Sequence, residues 1–125
     1  MNRPLKMPPE TYEAVANRAQ LLVTPAAMDQ AIDRLAQAVT ARLAGADPLV
    51  LCVLTGGIVA AGLLLPRLRF QLRLDYVHAS RYRGGTRGGE LRWHHRPSDV
   101  IRGEQVLIVD DILDEGVTLD QVARA

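Results

Sequence analysis

Residues Val106 to Leu119 read VLIVDDILDEGVTL. Val106 to Val109 form a short, continuous apolar run, and with Gln105 in front residues 105–109 read as a strand buried on both faces. Two adjacent carboxylates, Asp110 and Asp111, close the run. A loop of Asp114, Glu115, Gly116, Val117 and Thr118 then leads into a helix that begins near Val117. No internal repeat is visible, but a second strand, turn and helix lie some fifty positions earlier. Residues 49–54 read LVLCVL, a second doubly buried strand, broken by Thr55-Gly56-Gly57 before an apolar helix over 58–65 that Pro66 closes. Strand, turn and helix, twice over, predict an α/β domain with a mainly parallel sheet flanked by helices. In such sheets ligands sit outside the carboxyl ends of the strands. Thr55-Gly56-Gly57 and Asp110-Asp111 both fall there.

The rest of the chain fits around these two units. Residues 1–9 carry Pro4, Pro8 and Pro9 and are read as a flexible N-terminal arm, with a single domain over 10–125. A helix is expected over 11–23. Thr24-Pro25 then reads as a cap with proline in the first turn of a second helix. Met28, Ile32, Leu35, Val39 and Leu43 form one apolar stripe on it, and Gly45 stops it. Residues 72–77 alternate and predict a strand. Gly84, Gly85, Gly88 and Gly89 predict a mobile loop, and residues 91–93 a short returning strand. The helix from Val117 has only begun its apolar face by Ala125, and a parallel sheet ordinarily needs another strand beyond it. The 125 residues are therefore expected to be the N-terminal two-thirds of a longer domain, truncated at the C-terminus.

Composition excludes several classes. The apolar fraction of 48% and charged fraction of 23% are those of a globular protein rather than a disordered one. The single cysteine, Cys52, cannot form an internal disulfide, and no histidine or cysteine cluster has zinc spacing. A reduced, cytoplasmic protein is the expectation. Met1 to Glu10 lacks the apolar core of a signal peptide, and the longest apolar run is too short to span a bilayer. The net charge of +1 hides an asymmetry: the balance is 0 over residues 1–66, +6 over 67–102 and −5 over 103–125. A basic middle followed by an acidic end suits an anion held beside a cationic centre, although most of the nine arginines in the middle are read as solvated surface.

The chemistry concentrates in the opening motif. Free backbone N–H groups at a helix start favour phosphate, Gly116 permits a tight turn there, and Thr118 adds a hydroxyl. Carboxylates beside an anion site repel the anion unless they bind hydroxyls or a bridging cation. A phosphorylated ribose with Mg²⁺ uses both halves. The segment resembles the phosphoribosyl-diphosphate (PRPP) motif of the type I phosphoribosyltransferases: apolar strand, two acids, two apolar residues, Asp, any residue, Gly, any residue, Thr. Residues 53–57 (VLTGG) look like that family's diphosphate loop. Residues 75–86 (DYVHASRYRGGT) look like the strand and mobile catalytic loop of its hypoxanthine-guanine branch. The resemblance covers roughly residues 20–125.

It implies a type I phosphoribosyltransferase fold and transfer of 5-phosphoribosyl from PRPP to hypoxanthine or guanine, giving IMP or GMP and diphosphate. By the resemblance, Asp110 and Asp111 hold the ribose hydroxyls, and Mg²⁺ binds through PRPP near them. Asp114 stands beside the purine as general base and joins Glu115, Gly116, Val117 and Thr118 around the 5′-phosphate. Thr55, Gly56 and Gly57 contact diphosphate. Arg81 and Tyr82 close over the site. The chain departs from the pattern at Thr55 and Val117, where some relatives carry lysine, and it ends before the family's purine-reading residues. The resemblance also implies a homo-oligomer, dimer or tetramer, and no membrane or nucleic-acid partner. The alternatives are an RNA-binding regulator of the same fold, a phosphoribosyltransferase for another base, or an inactive fragment. His78, His94, His95, Trp93 and Tyr12 are read as structural, with His94 and His95 on opposite faces of an extended segment, and Cys52 as an inert core thiol.

Overall fold

The structure, a computed structural model, describes residues 8–81, 91–97, 101–112 and 123–124. Two compact units divide it, Met1–Gln30 and Ala31–Ala125. In the first unit, helix α1 (Pro9–Arg18) starts on a proline, where a missing N–H costs nothing, and ends when Ala19 turns extended. It begins two residues before the expected start and stops five before Val23. Val23 and Thr24 are β-branched, and Thr24 precedes Pro25, which biases it away from helix.

Helix α2 (Pro25–Leu43) opens as expected: the Thr24 hydroxyl accepts a hydrogen bond from the Ala27 N–H at 3.1 Å, with Pro25 in the first turn. It closes before Gly45, whose φ of +87° a residue with a side chain adopts at a cost. Within the second unit the inward line of α2 is Ile32, Ala36, Val39 and Leu43. Leu35, expected in the stripe, is exposed, and Ala36 takes its place in a line that otherwise keeps the expected Ile32, Val39 and Leu43.

The sheet has the order β3-β2-β1-β4, built from β1 (Leu49–Leu54), β2 (Arg73–Arg81), β3 (Leu91–His95) and β4 (Val106–Val109). β1 lies between β2 and β4 and is parallel to both; β3 is antiparallel to β2. The expected α/β architecture with a mainly parallel sheet is present. β1 is apolar throughout because both of its faces are covered. Val50 and Cys52 pack with Ala61 and Leu64 of α3 (Gly57–Leu64) and with Ala36 and Val39 of α2. Leu49, Leu51 and Val53 pack with Val77, Trp93, Ile101 and Ile108 on the other side. β4, expected to be buried on both faces, is only partly so: Val109 is buried and Val106, Leu107 and Ile108 are half-buried, because among the described residues β4 is an edge strand paired with β1 alone. α3 is followed by a single tight turn, Leu65–Arg67. From that turn Arg67 donates to the Asp33 carboxylate of α2 at 2.6 Å and to the Leu63 carbonyl.

β2 and β3 are longer than periodicity alone predicts, because each extends by pairing with the other. Ala79, Ser80 and Arg81 face Trp93, Arg92 and Leu91, with a register shift between His78 and Ala79. That irregularity overturns the expectation that His94 and His95 point to opposite faces. His94 lies against His78 (ring centroids 4.7 Å apart) and within 2.9 Å of the Ser80 hydroxyl, while His95 stacks on Tyr76 at 3.9 Å. Tyr76, His78 and Ser80 are alternate residues of β2, so a bulge has carried both histidines to one side.

At the amino ends of the strands a single side chain ties three connections together. Arg73, at the start of β2, donates to the Asp47 carbonyl at 2.8 Å, lies 3.3 Å from the Asp47 carboxylate and bonds the Glu104 carboxylate. Asp47 precedes β1 and Glu104 precedes β4, so the clamp spans the three parallel strands. The Arg73 hydrogen bond is the main reason the Glu104 carboxyl is held below its ordinary range.

Candidate active site

The opposite, carboxyl edge of the sheet carries the sequence-predicted residues. β1 and β4 are parallel, with Cys52 paired to Val109, so the chain leaves the two strands side by side. Thr55-Gly56-Gly57 succeeds β1 and leads into α3; the Ile58 N–H donates to the Thr55 carbonyl at 3.2 Å, which closes the turn. The Leu54–Thr55 peptide is cis. Asp110 and Asp111 succeed β4.

The two segments touch closely. A Cβ built on Gly57 would lie 2.7 Å from the Val109 carbonyl oxygen, 3.4 Å from the Asp110 Cα and 3.5 Å from the Cys52 sulfur. Only a residue without a side chain lets the start of α3 rest on the end of β4. A Cβ on Gly56 would lie 2.7 Å from the Asp111 carboxylate. The glycine turn after β1 and the paired acids after β4, some fifty positions apart in sequence, therefore form one surface. Arg81 ends β2 three residues beyond the partner of Leu54, so its backbone reaches the same edge. Tyr82 and the residues expected around the 5′-phosphate, Asp114, Glu115, Gly116, Val117 and Thr118, lie outside the described residues, as does the glycine-rich loop.

The electrostatics of the acids derive from their placement. Asp110 is half-buried at the strand end. Burial pushes its carboxyl above the ordinary aspartate range, and the neighbouring Asp111 carboxyl adds to the rise. The Asp111 N–H, donating to Asp110 Oδ1 at 2.8 Å, works in the other direction. Asp111 is exposed. The edge thus offers two adjacent carboxylates, Asp110 anchored by the Asp111 N–H and Asp111 set against Gly56. Beside them lies the head of an apolar helix, whose leading N–H groups are the ones a helix leaves for an anion. Carboxylates accept hydrogen bonds from a diol and are hard oxygen ligands of the kind Mg²⁺ takes. Among the described residues no group of three or more His, Cys, Asp or Glu side chains is placed to hold a metal.

Cys52 is buried, as expected of an inert core thiol; its sulfur lies 3.5 Å from the Gly57 Cβ position, and burial together with the Asp110 charge pushes the thiol up. Cys52 is two residues from the end of β1, on the face that α3 covers.

The chain is similar to known proteins over most of its length. The family model described as the phosphoribosyl transferase domain matches residues 18–125. A hypoxanthine-guanine-xanthine phosphoribosyltransferase of Tritrichomonas foetus is 40% identical over 76 residues, 61% of this chain and 42% of that protein. A hypoxanthine-guanine phosphoribosyltransferase of Lactococcus lactis is 31% identical over 101 residues, 80% of this chain and 55% of that protein. Among solved structures, a hypoxanthine phosphoribosyltransferase from Staphylococcus aureus superposes with a TM-score of 0.80 at 26% identity, covering 89% of this chain and 61% of that one. The chain spans about half the length of the curated relatives it matches.

Proposed function

The chain belongs to the phosphoribosyl transferase domain family, in the type I, purine-salvage branch, and on that premise we propose that it transfers 5-phosphoribosyl from PRPP to hypoxanthine or guanine. The products are IMP or GMP and diphosphate. The observation that carries this reading is the junction of Gly56 and Gly57 with Asp110 and Asp111, which sets a glycine turn and a carboxylate pair side by side at one strand edge. A phosphate-rich leaving group and a ribose diol are bound by just those two chemistries.

In the reaction the bond between the anomeric carbon and diphosphate breaks, a bond from that carbon to a purine nitrogen forms, and the purine gives up a proton. Positive charge develops on the sugar as diphosphate departs, and fixed electrostatics around that separation supply most of the acceleration. Asp110 and Asp111 accept hydrogen bonds from the ribose hydroxyls and orient the ring. Asp110 is the rigid member, held by the Asp111 N–H. Thr55, Gly56 and Gly57 present main-chain N–H groups to diphosphate. Asp114 takes up the purine proton, and Glu115 to Thr118 hold the 5′-phosphate. Arg81 and Tyr82 cover the site against water, which would otherwise consume the reactive sugar. Asp110 and Asp111 would hold Mg²⁺ through PRPP, and the ion would supply neutralisation of the leaving-group charge. The acidic oxygen donors at this edge fit that ion.

The setting is cytoplasmic and the assembly a dimer or tetramer; no helix among the described residues is long and apolar enough to cross a membrane. The domain is taken to run over residues 10–125 behind an N-terminal arm of residues 1–9. The test is nucleotide formation by the full chain from Mg²⁺-PRPP and a panel of bases, with products resolved by chromatography. IMP or GMP is expected. A chain whose melting is indifferent to Mg²⁺-PRPP and which makes no nucleotide from any base overturns the reading.

A further inference from the structure

The reason for glycine at position 56 is spatial rather than conformational. Gly56 has φ −59° and ψ −34°, the right-handed helical region that every residue adopts, so its backbone does not call for glycine. It is also the residue that caps α3, where Ser, Thr, Asp or Asn stabilise a helix and Gly supplies no side-chain hydrogen bond. Glycine supplies room instead. Asp111 Cγ, Oδ1 and Oδ2 all lie 2.7 Å from where a Cβ would stand, closer than side chains approach one another. The carboxylate fills the space that the absent side chain leaves.

We infer that Gly56 is a positioning residue for Asp111: its bare backbone is the slot that sets the direction of the Asp111 carboxylate, and through this contact the turn after β1 and the acids after β4 act as one unit toward PRPP. The inference rests on the phosphoribosyl reading for its consequence, but its geometry does not. The neighbouring Gly57 shows the difference in kind. There the obstructing atom is the Val109 carbonyl oxygen, part of a strand and unable to turn aside. At Gly56 the obstruction is the tip of an exposed side chain, which can rotate into water. A methyl group at 56 therefore leaves the fold in place and turns Asp111 away from its direction, whereas one at 57 parts α3 from β4.

The competing explanation is that glycine at 56 merely lets diphosphate approach the main chain. The two separate in a double-mutant cycle on the full chain, with G56A, D111A and G56A/D111A, read as KM for PRPP and as kcat. If Gly56 acts through Asp111, G56A alone raises KM for PRPP about tenfold. In the D111A background, where no carboxylate remains to be displaced, adding G56A changes KM by less than about twofold. Equal effects of G56A in both backgrounds overturn the inference, because a direct clash with diphosphate does not depend on residue 111. A second measurement needs no substrate: the χ1 couplings of Asp111 by NMR in ligand-free wild-type and G56A protein. A changed rotamer is expected, with the thermal midpoint held within about 2 °C. An unchanged rotamer overturns the inference whatever the kinetics. Should the wild-type chain fail to bind Mg²⁺-PRPP while the rotamer shifts, it is the functional reading that falls, and the slot stands.

Discussion

The two ends of one sheet use charge in opposite ways. At the amino end, Arg73 gathers the Asp47 carbonyl, the Asp47 carboxylate and the Glu104 carboxylate, so unlike charges meet and three connections are held. At the carboxyl end, Asp110 and Asp111 stand side by side, like charges on adjacent residues, with Asp110 partly withdrawn from water. The first arrangement satisfies itself within the fold. The second is costly within the fold and becomes favourable only when hydroxyls or a cation arrive. Within one sheet, the end that lowers the folding free energy and the end that stores unfavourable electrostatics for a ligand can thus be told apart by the sign of the neighbours alone.

Replacing carboxylates at the ligand end gives the largest expected separation. D110N and D111N are each expected to lower phosphoribosyl transfer by about 10²-fold or more, as removal of a group aligned on the reacting sugar does. D110N also raises the thermal midpoint, because a carboxyl that burial holds above its usual range is one whose charged form opposes folding. Calorimetric scans beside initial rates check both. A D110N protein that is both inactive and less stable would erase the contrast between the two ends. Next in size is G57A. Its methyl group meets the Val109 carbonyl oxygen, and a loss of about 2–3 kcal/mol by denaturant titration is expected. Gly62, also in α3 but with nothing within 4 Å of a Cβ, gives the opposite sign: G62A gains about 0.5–1 kcal/mol. At the amino end, R73A is expected to lower the midpoint by about 5 °C and to leave kcat and KM for PRPP unchanged. A change in KM with R73A would mean that the two ends are not independent.

How much of this was legible in the sequence depended on how local the cause was. β1 was readable because six apolar residues in a row have little use except burial on both faces, whereas β4 was readable as a strand but not as the edge strand it is among the described residues, where only Val109 is buried. The Thr24 cap and the Gly45 stop were readable because capping is settled within four residues. The hairpin of β2 and β3 was under-read, and its histidines placed wrongly. Its length and bulge come from cross-strand pairing between Ala79 and Trp93, which no window along the chain contains. The α2 stripe was legible at Ile32, Val39 and Leu43 but not at Leu35, where Ala36 is the buried residue: a small side chain scores as weakly apolar in a pattern yet packs closely. At the site the acids and the glycine turn were legible as types. Their fit was not, since the meeting of Gly56 with Asp111 arises from the parallel register of β1 and β4.

The smallest expected effect is on the pH dependence of stability, and it carries the contrast most directly because the two ends have opposite signs. Glu104 is held below its ordinary value of 4.5 in the folded chain, first by its hydrogen bond from Arg73. Its contribution is fully present above 4.5 and is lost as pH falls through the lowered folded value, so acidification weakens this end. Asp110 is held above its ordinary value of 3.8 by burial and by Asp111. Between its raised folded value and 3.8 the folded chain binds more protons than the unfolded one, so acidification through that window strengthens the other end. Denaturant midpoints measured from pH 7 to pH 3 should therefore fall less steeply in R73A than in wild type, because the acid-labile contribution is gone. They should fall more steeply in D110N, because the compensating one is gone. If the two variants bend the profile in the same direction, the carboxyl-end acids are ordinary surface charges and the strain assigned to them is absent.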